Sequence, residues 1–193
     1  MYQPAHNEPA MYPIEDDVDR RLFSALYTLM QKSLLEDISV GQILDEARVS
    51  RSSFYRHYLD KYDLLIRSYT RLLDSTYLQC LAGREYLDAS RALVRVLYQH
   101  SAFFRNALWS EGPNSLSVYI CNISIDMIAE LLIRHGLNMK VDIRLRYAVE
   151  SYVYGTYRVM QEWARDGMPY PPDELTSLFV ELIPEKLKPY LLS

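Results

Sequence analysis

The 193 residues predict an all-α chain, an N-terminal three-helix unit with a helix-turn-helix corner, joined by a fourth helix to a C-terminal helical unit. Three observations carry that expectation. Apolar residues recur at three- and four-residue spacing along most of the chain, and no segment sustains the period-two alternation of a strand. Capping residues stand immediately before the periodic runs, among them Ser39, Ser50 and Asp60. Breakers punctuate the rest at Gly83, Gly112-Pro113, Gly136 and Gly167-Met168-Pro169.

The elements follow in order. Residues 1–16 hold Pro4, Pro9 and Pro13 with no periodic apolar pattern and read as a flexible arm. Val18, Leu22, Leu26, Leu29 and Met30 share one helical face, which predicts a first helix over about 17–35. Ser39 with Gln42 makes a capping box, in which each side chain satisfies an orphan backbone donor beside the other, and opens a short second helix over about 40–47. Arg48-Val49-Ser50 is a tight connection. Ser50 caps a third short helix, on which Phe54 and Tyr58 fall four apart. Asp60 caps a fourth, with Leu64, Leu65, Tyr69, Leu72 and Leu73 as its apolar side, running to about Cys80. Further helices are expected at about 87–100, 102–109, 114–135, 142–166 and 172–189. The domain division is then an arm (1–16), a three-helix unit with its linking helix (17–80) and a C-terminal regulatory and dimerisation unit (81–193).

Composition narrows the function classes. A hydrophobic share of 49% supplies a sizeable core, and no apolar run of bilayer length or signal-peptide pattern occurs, which points to the cytoplasm and away from a membrane. Cys80 and Cys121 form no CxxC pair and read as buried thiols. HExxH, a phosphate-cradling glycine loop and GxSxG are all missing, and His6, His57, His100 and His135 are scattered. No catalytic residues, metal or cofactor are expected, and the chain does not read as an enzyme.

Net charge is −4, so nucleic acid cannot be held by bulk charge. A local patch is present instead: Arg48, Arg51, Arg56 and Lys61 face only Asp60 between positions 48 and 61. A helix of about 12 Å diameter fits the major groove, and a helix packed across its end holds it there. Ile43, Leu44, Ala47, Val49 and Phe54 would fix the angle between the two helices, leaving Ser50, Arg51, Ser52, Ser53, Arg56 and His57 outside to reach bases or phosphates. A solvated helical corner without DNA is the plainer alternative for such a patch.

From Ile43 to Tyr58, continuing through Asp60-Lys61-Tyr62-Asp63-Leu64-Leu65, the sequence resembles the TetR family. The resemblance implies a recognition helix near Ser50–His57 with Arg51, Ser52 and Ser53 facing bases. It places Tyr55, His57 and Lys61 at phosphates and gives Ser39 and Gln42 a secondary role. It also implies a homodimer on near-palindromic, double-stranded operator DNA, two recognition helices lying about 34 Å apart. Three departures stand out. Arg48 occupies a turn position where the family usually has Gly, Gly41 replaces a longer polar residue, and Glu15, Asp16, Asp17 and Asp19 make the approach to the first helix acidic.

The helix at 142–166 is apolar on two sides, with Leu145, Val149, Tyr152, Val153, Met160 and Trp163 on one and Tyr147, Tyr154 and Tyr157 on another, and therefore needs two partners. In the TetR family this helix and the last one, 172–189, form a four-helix dimer interface. Family members also enclose a small-molecule effector site, for which Tyr98, Phe103, Phe104, Trp109, Tyr119, Tyr147, Glu150, Tyr154 and Tyr157 are the candidate lining, Glu150 either countering a cation or pairing with Arg146. The functional expectation is a dimeric repressor released from its operator by such an effector. The rival is a ligand-sensing or protein-interaction module of the same fold without operator binding.

Overall fold

The computed structural model describes residues 16–73 and 86–192. The expectations for residues 1–15, the extension of the fourth helix to Cys80 and the break at Gly83 lie outside those residues. Ten α-helices are described, with no strand among the described residues: α1 (Asp17–Met30), α2 (Val40–Ala47), α3 (Arg51–His57), α4 (Lys61–Leu72), α5 (Tyr86–Gln99), α6 (Ser101–Ala107), α7 (Leu116–Arg134), α8 (Ile143–Arg165), α9 (Pro172–Glu181) and α10 (Lys188–Leu191).

They form two compact units. The first holds residues 16–73 together with His100–Tyr119, so α6 and the start of α7 pack with the N-terminal helices. Sequence had assigned that segment to the C-terminal part. Its place in the first unit follows from contacts with α1: the Phe103 ring stacks on Tyr27 with centroids 5.1 Å apart, and Asn106 Nδ2 donates to Met30 O at 2.7 Å. The latter bond satisfies a carbonyl that the end of α1 leaves open.

α1 stops at Met30, five residues short of the expected end. Leu22, Ala25, Leu26 and Met30 form its buried face. A straight continuation would turn Leu35 to the opposite side, at 100° per residue. The chain instead turns after Met30 into a short 3-10 segment, Leu35–Asp37, where Leu35 is fully buried.

The second unit holds residues 86–99 and 120–192. Within it α5 packs against α9, and Arg95 pairs with Asp173 at 3.0 Å. α8 buries Leu145, Val149, Tyr152, Val153, Met160 and Trp163, as its apolar spacing predicts. Tyr157 joins that buried side, not the Tyr147 and Tyr154 side. The expected single last helix is split. Pro184 has no N–H to donate and disfavours helix in the residue before it, so α9 ends at Glu181 and α10 restarts at Lys188. Only α7 among the described helices is long and apolar enough to cross a bilayer; it carries Asp126 and Glu130, and its Ile120, Cys121, Ile128 and Leu132 are buried.

Candidate nucleic-acid interface

The corner is assembled from local signals. Ser39 Oγ accepts from Gln42 N at 3.2 Å and Gln42 Oε1 accepts from Ser39 N at 2.8 Å, the reciprocal capping box that the sequence predicts. α2 closes through Val49 N–H donating to Leu44 O at 3.0 Å, with Arg48 in the left-handed region at φ 52 and ψ 48. A side chain there is disfavoured by Cβ–carbonyl crowding, which is why glycine is usual at such ends. Arg21 on α1 offsets part of that cost. Its Nε donates to Ala47 O at 2.8 Å and its Nη2 to Arg48 O, so one guanidinium holds the last carbonyls of α2.

Ser50 then caps α3, accepting from Ser53 N at 3.2 Å and bonding the Ser52 and Ser53 hydroxyls, each at 3.0 Å. Phe54 is fully buried, as are Ile43 and most of Leu44 and Ala47, which together fix the angle between α2 and α3. Asp60 caps α4 by accepting from the amides of Tyr62 and Asp63, each at 2.8 Å.

This packing sorts the ten candidate residues. Arg51, Ser52, Tyr55 and Arg56 are exposed and fall on one face of α3. Among the described residues, none of Arg48, Arg51 and Arg56 is paired with a carboxylate in a salt bridge. Ser50, Ser39 and Gln42 are exposed but engaged in capping, and Ser53 is half-buried. His57 is turned inward. Its side chain is 9% exposed and Nε2 lies 3.5 Å from Asp16 Oδ2 without a hydrogen bond. Bonding to the Asp19 amide, followed by the nearby His57, holds the Asp16 carboxyl below its usual range, against some opposing desolvation. Lys61 directs Nζ at the carbonyls of Leu35 (2.7 Å), Ile38 (2.9 Å) and Glu36 (3.3 Å), tying the 3-10 segment to the start of α4.

Sequence reasoning missed Arg21 and Arg71 and counted Asp19 only as part of an acidic approach to the first helix, whereas the fold buries it. Asp19 and Arg71 form an ion pair at 2.5 Å with side chains 3% and 7% exposed. A signal was available for the first: Asp19 stands three residues before Leu22 on the apolar stripe of α1, where a carboxylate needs a buried partner.

Comparison with known proteins decides the family. A TetR-type profile described as transcriptional regulator C-terminal region matches residues 85–185, more than half of the chain. The chain belongs to the TetR family of transcriptional regulators. The solved structure of a dihydroxyacetone kinase operon activator, DhaS, shares its fold with a TM-score of 0.58 at 16% identity, over 90% of this chain and 97% of that one. No curated protein sequence matched.

In this TetR-family chain the candidate effector residues are dispersed. Phe103 and Phe104 are core residues of the first unit, where Tyr69 meets Phe104 edge-on at 6.2 Å and Tyr119 at 6.0 Å. Trp109 belongs to the first unit as well. Tyr98, in the second, stacks on Trp163 with centroids 6.2 Å apart. Tyr147 and Tyr154 are more than half exposed, and Glu150 pairs with Arg146 at 3.8 Å beside them. A small cleft of about 40 Å³ lies within the second unit, lined by Tyr86, Cys121, Val153, Tyr157, Met160 and Phe179 among others. Of the expected lining it includes Tyr157. Burial pushes the Cys121 thiol up to about 12, so it stays protonated and unreactive. The cleft has room for a few waters, well short of the roughly 300 Å³ of a ligand pocket.

Proposed function

We propose that the chain is a dimeric repressor that reads near-palindromic operator DNA through α3 and is released by a small-molecule effector. The exposed face of Arg51, Ser52, Tyr55 and Arg56 on a capped, core-anchored α3 is the observation that carries this reading. Two of its side chains are cationic and two carry hydroxyls, suited to base edges and phosphates, and their helix is too short to stand without its neighbours. Arg51, in the first turn of α3, is the base-reading candidate; Tyr55 and Arg56 are phosphate candidates. Lys61 serves this surface by holding the 3-10 segment against α4, since its ammonium would have to give up three carbonyls to reach a phosphate.

Dimerisation is assigned to α8 and α9. Ile143, Tyr147 and Tyr154 repeat along one exposed face of α8, and Leu178 and Leu182 are exposed on and just beyond α9. Apolar side chains in such rows mark a face that another surface covers. Gly155 stands on the same exposed side, and a Cβ there would meet nothing within 4 Å, which leaves a second helix free to approach closely. Effector release is assigned to widening of the cleft lined by Tyr86, Tyr157 and Met160, because only a ligand favouring the opened form lowers operator affinity. A panel of hydrophobic and cationic compounds should contain one that raises the melting temperature; a flat panel removes the effector from the account.

Arg51→Ala tests the DNA reading. Affinity for the cognate duplex should fall by roughly 10-fold or more while affinity for scrambled duplex changes little, because base contacts specify and phosphate contacts position. Equal loss on both duplexes would remove Arg51 from the base-reading role.

A further inference from the structure

Three elements of the first unit meet at a buried polar ring. Arg71 on α4 donates through Nη2 to Asp19 Oδ2 at 2.5 Å and through Nη1 to Tyr58 Oη at 3.1 Å. Tyr58 closes the ring by donating its hydroxyl to Asp19 Oδ1. Asp19 belongs to α1, and Tyr58 is the residue that ends α3, its amide bonded to Phe54 O at 2.9 Å. All three are buried: Tyr58 is 2% exposed, and the side chains of Asp19 and Arg71 are 3% and 7% exposed. Burial, followed by the bond to Asp19, raises the Tyr58 pKa, so the phenol remains a donor.

α4 grips Tyr58 a second time. The Arg67 guanidinium lies over its ring, 5.3 Å from the centroid, and is itself steadied by Asp63 at 3.0 Å. Arg67 and Arg71 are four residues apart and so share a face of α4. One side chain at the end of α3 is thus held at its ring by Arg67 and at its hydroxyl by Arg71, with Asp19 of α1 accepting on the far side.

A buried ion pair is a poor stabiliser, because desolvation offsets its attraction and apolar residues of similar size would hold the same elements. A closed ring of directed bonds does something apolar packing does less well: it admits one mutual placement of the three elements. Ile43, Leu44, Ala47 and Phe54 already fix the α2 end of α3. The ring fixes the other end.

We propose that Asp19, Tyr58 and Arg71 are positioning residues that set the angle of α3 and thereby the discrimination of operator from other DNA, without touching DNA themselves. This rests on the DNA reading given under Proposed function.

Tyr58→Phe deletes one hydroxyl and leaves the ring under Arg67. The full chain and this variant would be titrated with the chain's own upstream duplex and a scrambled duplex at two salt concentrations, and amide exchange would be followed in both. Operator affinity should fall about 10-fold, with scrambled-duplex affinity and salt slope unchanged because no phosphate contact is lost. Exchange at the Tyr58 amide should quicken about 10-fold while that of Leu26 on α1 holds. If Tyr58→Phe does not fold, Asp19→Asn with Arg71→Gln removes both charges together, so no lone charge is buried, and should give the same selective loss. Where the parent chain prefers its operator, an unchanged ratio of operator to scrambled affinity in the variant overturns the proposal whatever happens to amide exchange or the melting temperature. Where the parent chain itself shows no operator preference, the DNA reading fails; quickened exchange at Tyr58 alone then still supports the ring as the fixing of α3, and unchanged exchange overturns it.

Discussion

α3, assigned to DNA, and α8, the longer of the helices assigned to dimerisation, are built on opposite terms. α3 has seven residues and buries only Phe54 among them; its shape comes from outside, from the Ser50 cap, the α2 core and Tyr58 beyond its end. α8 has 23 residues, eight of them buried, and its exposed row of Ile143, Tyr147 and Tyr154 is carried by a self-sufficient helix. Isolated helices shorter than about 12 residues are marginal in water. Changes near α3 should therefore alter how it is aimed, whereas changes on the exposed row of α8 should alter only what it meets.

The sharpest way to break that contrast is to strip each helix of its principal side chain. Phe54→Ala should destabilise the first unit by about 3–5 kcal/mol, read as a lower midpoint in urea, because it opens a cavity between α2 and α3. Tyr154→Ala, on a side chain 53% exposed, should leave the protomer's stability within about 0.5 kcal/mol. If the two losses are similar, the contrast fails. Next in size, Tyr154→Glu combined with Leu178→Glu should weaken self-association by about 100-fold in sedimentation, at roughly 1–3 kcal/mol for each buried anchor lost, with the helical circular dichroism retained.

A smaller effect of opposite sign is expected at the turn. Arg48→Gly removes the Cβ crowding at φ 52 and should stabilise the chain by roughly 0.5–1 kcal/mol in thermal unfolding, with operator affinity preserved. A drop in stability would mean that the long side chain contributes more than its backbone costs. The smallest effect concerns Asp142, which caps α8. Its bond to Lys186 at 2.9 Å, and then that to the Leu145 amide, hold its carboxyl below the ordinary value. A depressed carboxylate adds stability above its unfolded pKa and loses it as pH falls through the folded one. Asp142→Asn keeps a capping oxygen, so its deficit in melting temperature should be present at neutral pH and close in acid. A deficit that stays constant with pH would assign the effect to packing.

The helix order, the capping box at Ser39–Gln42 and the Ser50 and Asp60 caps were all legible, because each depends on residues a few positions apart, whereas Arg48 stood out only against the glycine usual in the family. What stayed hidden depends on distant partners. The early stop of α1 follows from where Leu35 must go, and the assignment of His100–Tyr119 follows from Tyr27 and Asn106. Lys61 and His57 look available in sequence; in the fold one serves three carbonyls and the other is tucked beside Asp16. The aromatic residues of the second half were the least readable, since a tyrosine at helical spacing serves equally as core, as Tyr152 does, or as surface, as Tyr147 does. A break at Pro184 was not among the expected stops, although a proline inside a helical pattern signals one.

The central claim is that α3 reads a specific duplex. Fluorescence anisotropy of the full chain against its own upstream DNA and a scrambled duplex of equal length, at two salt concentrations, tests it most directly. Operator binding at least 1,000-fold tighter than scrambled binding, with both weakening as salt rises, is the expected result. Equal affinity for the two duplexes at both salt concentrations, or no binding to either, would contradict it and leave a regulator fold that answers to something other than operator DNA.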